Sequence, residues 1–301
     1  MDLLVIRHWY KMTLRLVIYA FLRPCLEAYR LLSPDAAAAV GERLGAIAGA
    51  LLWRARTNAR AHLARAFPDR PPAEIAQLSR AHFRHLGRAL GEYLSLTKQD
   101  PSVMRERVRV EGLEYVERNR AAGRGTVILT AHLGSWELAG AAMGLAVPNW
   151  AVVGRDLYDA RLTRLLTRWR EKFGIRVFEV WDARGILRHL KSGGSLGILI
   201  DQSSWRVATV LVPWFGIPTP TPSGPVRFAE HSGAALMMGF ILREGNRHRV
   251  VLEPIADAVD GRPAEEYLAA YNARLEALVR ERPEQWVWLH DRWKRHGEAA
   301  T

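Results

Sequence analysis

The chain has 301 residues, 49% of them hydrophobic, and a formal charge of +12. That is enough apolar mass for one sizeable α/β core with a helical appendage. A single cysteine, Cys25, excludes an internal disulfide framework and a four-cysteine zinc site, and no zinc-finger, basic-zipper or RNP-like pattern supports nucleic acid as a partner. The cations are overwhelmingly arginine, the lysines being Lys11, Lys98, Lys172, Lys191 and Lys294. Arginine's planar fork suits phosphate groups, and a positive surface suits anionic lipid headgroups or an acidic carrier protein.

The first 32 residues interrupt apolar runs with Arg7, His8, Lys11, Arg15 and Arg23. No run reaches the roughly 18 uninterrupted apolar residues of a membrane span. No small-residue cleavage site follows the charged start, which argues against a secretory signal. Trp9, Tyr10, Tyr19 and Phe21 interleave with the cations, a composition suited to a helix lying in the bilayer interface. The alternative is an amphipathic helix packed on its own domain. The chain is accordingly divided into a membrane-associating helix, residues 1–32, and an α/β domain, residues 33–301, with a helical lead-in over 33–100. Within the lead-in, an Arg-studded helical pattern over 36–67 is broken by Pro68-Asp-Arg-Pro-Pro72 and resumes over 73–96.

The body of the chain then alternates. Strands are predicted at 126–130, 150–153, 177–180 and 196–200, with helices at 134–145, 160–173 and 183–191. After an irregular loop come a helix at 226–232, strands at 235–242 and 248–253, and a long helix at 263–281. This alternation predicts an α/β fold, a mixed, mainly parallel sheet covered by helices on both faces. Ligands of such sheets bind beyond the carboxyl ends of the strands.

His132 falls at such an end, and Glu137 follows five residues later. In one continuous helix, residues five apart point about 140° away from each other. At a strand end and in a helix's first turn, joined by a tight Leu133-Gly134-Ser135 turn, they can meet as general base and orienting acid. Backbone amides near Gly134 and Ser135, at the helix N-terminus, are then placed for an oxyanion. Asp201 ends strand 196–200 at the same edge and is the other candidate for the orienting acid, with Gln202 as a hydrogen-bonding neighbour. Arg155 follows the second strand, with Asp156 and Tyr158 as weaker candidates beside it, and Arg227 is a candidate phosphate ligand. Trp205-Arg206 and the Pro- and aromatic-rich stretch 212–222 either roof an apolar groove or are buried structure. Trp286, Trp288, His290 and Arg292 recur at every second position, which predicts an extended segment with these four on one face. No metal or redox cofactor is expected, and no serine or cysteine nucleophile is required.

Segment 127–142 resembles the H-x4-D/E motif of glycerolipid-type acyltransferases and, in its details, the lipid A biosynthesis acyltransferases. Val110-Glu-Gly-Leu-Glu114 is similar to that family's lead-in strand and turn. Arg54-Ala-Arg-Thr-Asn58 with Ala66-Phe-Pro-Asp69 is similar to its N-terminal basic region, although His62 stands where the pattern has asparagine. Gly197-Ile-Leu-Ile-Asp-Gln202, Trp214-Phe-Gly216 and Glu284-Gln-Trp-Val-Trp-Leu-His-Asp-Arg-Trp-Lys294 complete the resemblance in the same order. It implies transfer of a fatty acyl chain from an acyl-carrier-protein (or coenzyme A) thioester to a hydroxyl of a phosphorylated lipid A precursor, a late step of lipopolysaccharide synthesis. His132 would be the base and Arg155 would contact the acceptor's phosphate. Membrane lipids would be partners at the cytoplasmic face of the inner membrane, reached peripherally or through a single N-terminal anchor. Another glycolipid acceptor, such as a phosphatidylinositol mannoside, is the alternative, as is a non-catalytic lipid-binding protein using the same groove.

Overall fold

The computed structural model describes residues 23–155, 159–202 and 207–294; residues 1–22 of the N-terminal segment, Asp156, Tyr158, Trp205 and Arg206 lie outside the described residues. Helices α1 (Pro34–Leu51), α2 (Trp53–Ala66), α3 (Pro72–Leu96) and α4 (Pro101–Arg107) precede the sheet. Helix α1 starts on Ser33, whose hydroxyl accepts the Ala36 N–H, followed by Pro34 in the first turn. The single helical pattern expected over 36–67 is in fact two helices bent by 93° at Leu52. Arg56 explains the stop: its Nη1 donates to the Gly49 and Ala50 carbonyls at 2.9 and 2.6 Å, satisfying the last acceptors of α1. Helix α1 lies against α3 at very close range, where a Cβ added to Gly41 would sit 2.2 Å from the Gly87 carbonyl oxygen.

The alternating body comprises β1 (Val108–Glu111), α5 (Leu113–Ala121), β2 (Thr126–Thr130), α6 (Trp136–Ala146), β3 (Trp150–Gly154), α7 (Ala160–Lys172), β4 (Arg176–Glu179), α8 (Ala183–Lys191) and β5 (Ser195–Leu199). Then follow β6 (Thr209–Trp214), β7 (Ile217–Pro222), α9 (Gly224–Ser232), β8 (Ala235–Glu244), β9 (Arg247–Ala256) and α10 (Ala264–Glu281). Seven strands form one sheet in the order β1-β9-β8-β2-β5-β3-β4, and only β8–β9 is antiparallel. The expected mixed, mainly parallel sheet is therefore present. Its central strand β2, Thr-Val-Ile-Leu-Thr, is apolar in succession because both sheet faces are covered. Ile128, Leu138, Trp150 and Leu252 belong to the core on one face, and Val127, Leu129, Leu275 and Trp286 to the core on the other.

Two further expectations change. The loop after β5 contains a hairpin: β6 and β7 pair antiparallel around Phe215-Gly216, both with positive φ (50° and 72°), the backbone of a two-residue hairpin turn. Alternation explains how so many prolines fit, since Thr219 and Thr221 point inward, fully buried, while Pro218, Pro220 and Pro222 take the other side. The segment after α10 is not a strand either. It makes one bridge, Trp286 to Leu133, and then turns. Trp286, Trp288 and Arg292 are fully buried, but His290 is only half-buried, so the period of two reflects insertion of three large side chains under the sheet edge.

Candidate active site

Strand order brings the site together. β2 and β5 are hydrogen-bonded neighbours, with Thr130 opposite Leu199, so the residues leaving their carboxyl ends meet. His132 Nδ1 lies 2.8 Å from Asp201 Oδ1. An ionised carboxylate only accepts, so Nδ1–H donates and Nε2 keeps its lone pair. Asp201 Oδ2 accepts the backbone N–H of His132 and the indole N–H of Trp286, each at 2.9 Å. The carboxylate is fully buried, whereas the imidazole remains about one-fifth exposed.

Burial works against a charged imidazole here, but the Asp201 carboxylate outweighs it, with a smaller contribution from Glu137, and holds the His132 pKa above its ordinary value of 6.5. Burial likewise opposes the Asp201 charge. His132, Arg292 and the backbone N–H bond more than compensate and keep that pKa below the usual carboxylate range. Arg292 is fully buried and donates to the Ile200 carbonyl, Thr221 Oγ1 and Asn272 Oδ1 at 3.1–3.2 Å, acting on Asp201 through space. Tyr271, fully buried, donates from its hydroxyl to the Thr130 carbonyl at 2.7 Å, tying α10 to the end of β2.

Glu137 stands in the first turn of α6, as its spacing from His132 requires, but it does not fold back onto the imidazole. Arg170 of α7 holds it through two hydrogen bonds of 3.1 and 2.6 Å. A planar guanidinium offering two parallel donors matches a carboxylate better than one imidazole N–H does. Of the two candidate acids, Asp201 is thus the one bonded to His132. Gly134 adopts φ +60°, and a Cβ there would lie 2.3 Å from the Ile241 carbonyl oxygen. Its N–H donates to the Gln285 carbonyl at 2.8 Å and is already taken, a correction to its expected place among the oxyanion donors. Ser135 is buried at the N-cap of α6. Gln202 is half-buried beside Asp201. Arg155 and Arg227 are exposed, the latter on α9.

A narrow apolar cavity lies between the sheet and α6, floored by Ile128, Gly197, Gly239 and Leu252 and walled by Gly140, Met143 and Ile175. Thr130, Trp136, Glu137 and Arg170 form its polar end. Trp136 also packs edge-on against the His132 ring, 5.1 Å between centroids, which puts this end of the cavity beside the imidazole. The 212–222 hairpin contributes nothing to this lining. Trp214 instead stacks on Trp286, and Phe215 on Phe67, so of its two readings the hairpin fits the structural one. Sequence reasoning missed Trp286, Arg292, Tyr271 and Arg170 as parts of the site. The Glu-Gln-Trp-Val-Trp tract was the signal for the first of them. Among the described residues no group of three or more His, Cys, Asp or Glu is placed to hold a metal ion.

Fold and site define a class first: a mainly parallel α/β sheet with a histidine–aspartate pair at its carboxyl edge, beside an apolar cavity. The family follows from comparison with known sequences. The bacterial lipid A biosynthesis acyltransferase profile matches residues 9–295, so the chain belongs to that family and is an acyltransferase. A lipid A biosynthesis palmitoleoyltransferase of Escherichia coli is 30% identical over 260 residues, covering 85% of this chain and 84% of that protein. The lauroyltransferase of the same organism is 25% identical over 267 residues, 87% and 86% of the two chains. A phosphatidylinositol mannoside acyltransferase of Mycolicibacterium smegmatis is 25% identical over 230 residues, 74% and 75% of the two chains.

Proposed function

We propose that this protein transfers a fatty acyl chain from an acyl-carrier-protein thioester to a hydroxyl of a lipid A precursor, with His132 as general base. The observation that carries the reading is the Asp201–His132 pair, its Nε2 lone pair free of that bond, beside one end of a narrow apolar cavity. His132 Nε2 takes the proton of the acceptor hydroxyl while that oxygen attacks the thioester carbonyl carbon. The tetrahedral intermediate collapses with cleavage of the C–S bond, and the imidazolium returns its proton to the leaving thiolate. Asp201 fixes the tautomer and supports the imidazolium as it forms. With the Gly134 amide committed, oxyanion stabilisation falls to Ser135 and the first-turn amides of α6, at the positive end of its dipole. The cavity takes the acyl chain.

The lipid A acceptor is supported by the family and by the palmitoleoyl- and lauroyltransferase relatives. A phosphatidylinositol mannoside or similar glycolipid is the second reading, supported by the mycobacterial relative. The net charge of +12 suits the acidic surface of a carrier protein. No single helix among the described residues is long and apolar enough to cross a membrane. The bend between α1 and α2 nonetheless exposes Ile47, Leu51, Leu52 and Trp53 to 53–73% beside Arg54, a composition that supports docking on the cytoplasmic face of the inner membrane.

The test incubates the protein with acyl-carrier-protein thioesters and a Kdo-bearing lipid A precursor, or a mannosylated phosphatidylinositol, alongside His132→Ala and Glu137→Gln. Acyl transfer should fall by roughly 10³- to 10⁴-fold in His132→Ala and by less than about tenfold in Glu137→Gln, which does not bond the base. Undiminished transfer by His132→Ala would remove the imidazole from the chemistry. Transfer only to the mannosylated acceptor would select the second reading.

A further inference from the structure

Away from the His132–Asp201 pair, a cleft of about 640 Å³ runs along α3. Arg80, Arg84 and Arg88 line it at four-residue spacing on one helix face, and Arg243 from β8 and Arg282 after α10 close it. The carboxylates in its lining are Glu42 and Glu284, of which Glu42 faces Arg88 at 3.7 Å. Like charges four apart on a helix repel one another; Arg88 is met by Glu42, the Gly245 carbonyl and Asn246 Oδ1, whereas Arg80 and Arg84 have no carboxylate partner among the described residues.

The buried donors point the same way. Arg243 is 8% exposed; its Nη2 binds Glu92 at 2.6 Å, but its Nε and Nη1 have no hydrogen-bond partner. An adjoining cavity shares Arg80 and Arg84 with the cleft and adds Arg60 and Ser79. There the Arg60 Nε and the hydroxyl of the fully buried Ser79 also lack partners. Buried polar groups are normally satisfied, and guanidinium donors most readily by a bidentate anion.

Position narrows the chemistry further. Gly49 and Ala50 line the adjoining cavity, and one residue beyond them begins the exposed apolar bend of Leu51, Leu52 and Trp53. Apolar side chains next to recessed arginines reproduce the order of a lipid monolayer, acyl chains and then phosphates. A small tetrahedral anion reaches recessed donors that the carboxylates of a partner protein's helix do not. We propose that this arginine cleft is a binding site for the phosphate group of a lipid. Where that lipid is the acceptor, the assignment rests on the acyltransferase reading above; where it is a bulk anionic phospholipid, it does not. On the acceptor side, Gln285 joins cleft and site, since its side chain lines the cleft and brackets the Arg243 backbone while its carbonyl takes the Gly134 N–H.

The test compares the full-length protein with Arg80→Gln/Arg84→Gln, both exposed positions. The control, Arg184→Gln/Arg188→Gln, removes the same charge at the same spacing from α8. Inorganic pyrophosphate binding by calorimetry should weaken at least about tenfold in the cleft variant and stay unchanged in the control. With a phosphorylated acceptor, KM should rise by a similar factor at unchanged kcat, while a dephosphorylated acceptor shows no difference. That result identifies the acceptor's phosphate as the ligand. Unchanged KM together with selective loss of co-sedimentation with phosphatidylglycerol, but not phosphatidylcholine, vesicles identifies bulk lipid phosphate instead. Pyrophosphate and vesicle binding unaffected in the cleft variant, or equally reduced in the control, overturns the proposal. If the parent protein transfers no acyl group to any acceptor, the acyltransferase mechanism fails, and the pyrophosphate and vesicle arms still decide the cleft.

Discussion

Two regions of the molecule carry a buried carboxylate held by a histidine near an arginine, and they do different things. At the far end of α3, Glu92 Oε2 accepts directly from Arg243 Nη2 at 2.6 Å and from His248 Nε2 at 2.9 Å. The His248 side chain is completely buried, and its pKa is driven down by that burial and by Arg243, despite the pull of Glu92. At the sheet edge, Arg292 makes its bonds to Ile200, Thr221 and Asn272 instead of to Asp201. The Asp201 charge is therefore left largely to His132, whose pKa rises and whose ring reaches solvent. Direct neutralisation by an arginine and full burial make the first a structural pin. A carboxylate with no arginine bonded to it and an open imidazole edge suit the second to proton transfer.

The sharpest way to break this comparison is to neutralise each acid in turn. Asp201→Asn should lower kcat by roughly 10²- to 10⁴-fold, because the imidazole loses its tautomer and its counter-charge. Glu92→Gln should leave kcat per folded molecule within about threefold but destabilise the fold by about 3–5 kcal/mol, since it strands Arg243 in the interior. Steady-state kinetics and urea unfolding separate the two, and equal losses of turnover at equal folded fraction would erase the distinction.

Protonation gives the next largest effect. Because the pKa of His132 is raised, the acid limb of kcat/KM should lie above pH 6.5, and in Asp201→Asn it should move below 6.5, since burial is then opposed only by the smaller contribution of Glu137. The stabilities run oppositely. His132 contributes stability fully present below pH 6.5 and lost as pH rises through its folded pKa. For His248 the depressed pKa means stability is lost as pH falls below 6.5. His82 and His85, pushed by burial to about 4 and about 3, add to that acid loss. Unfolding free energies measured from pH 3 to 8 for the parent, His132→Ala and His248→Phe test both signs.

The smallest expected effect concerns the cavity. Gly140 of α6 has only Ile175 Cδ1 near its missing Cβ, at 3.8 Å, so Gly140→Leu can project into the space without touching backbone. The fold should tolerate it, since leucine is the better helix former by about 0.5–1 kcal/mol. Competition among acyl donors of different length should show kcat/KM for long chains falling about tenfold, with short chains little changed. An unaltered chain-length profile would place the acyl chain elsewhere.

Much of this was legible in the order of residues alone. The apolar β2 run, His132 at its end, Glu137 in the first turn of α6 and Asp201 at the end of β5 all depend on side-chain period and chain punctuation. Those signals act over a few residues and survive without knowledge of the rest. The 93° break at Leu52 escaped because it depends on Arg56 reaching back to carbonyls six and seven residues away, within an otherwise continuous helical pattern. The hairpin at Phe215-Gly216 escaped because its prolines read as irregular loop.

What only the tertiary structure decided is which of these local features touch. Sheet order set β5 against β2 and so delivered Asp201 to His132, 69 residues away in the chain. Arg170, 33 residues beyond Glu137, claimed that acid first. Trp286 reached Asp201 across 85 residues. Strand neighbours and ion-pair partners are selected by packing the whole chain at once, among alternatives that a local pattern leaves equal. The sequence therefore determined the fold class, a candidate base and two candidate acids, and tertiary packing decided which of those acids bonds the histidine.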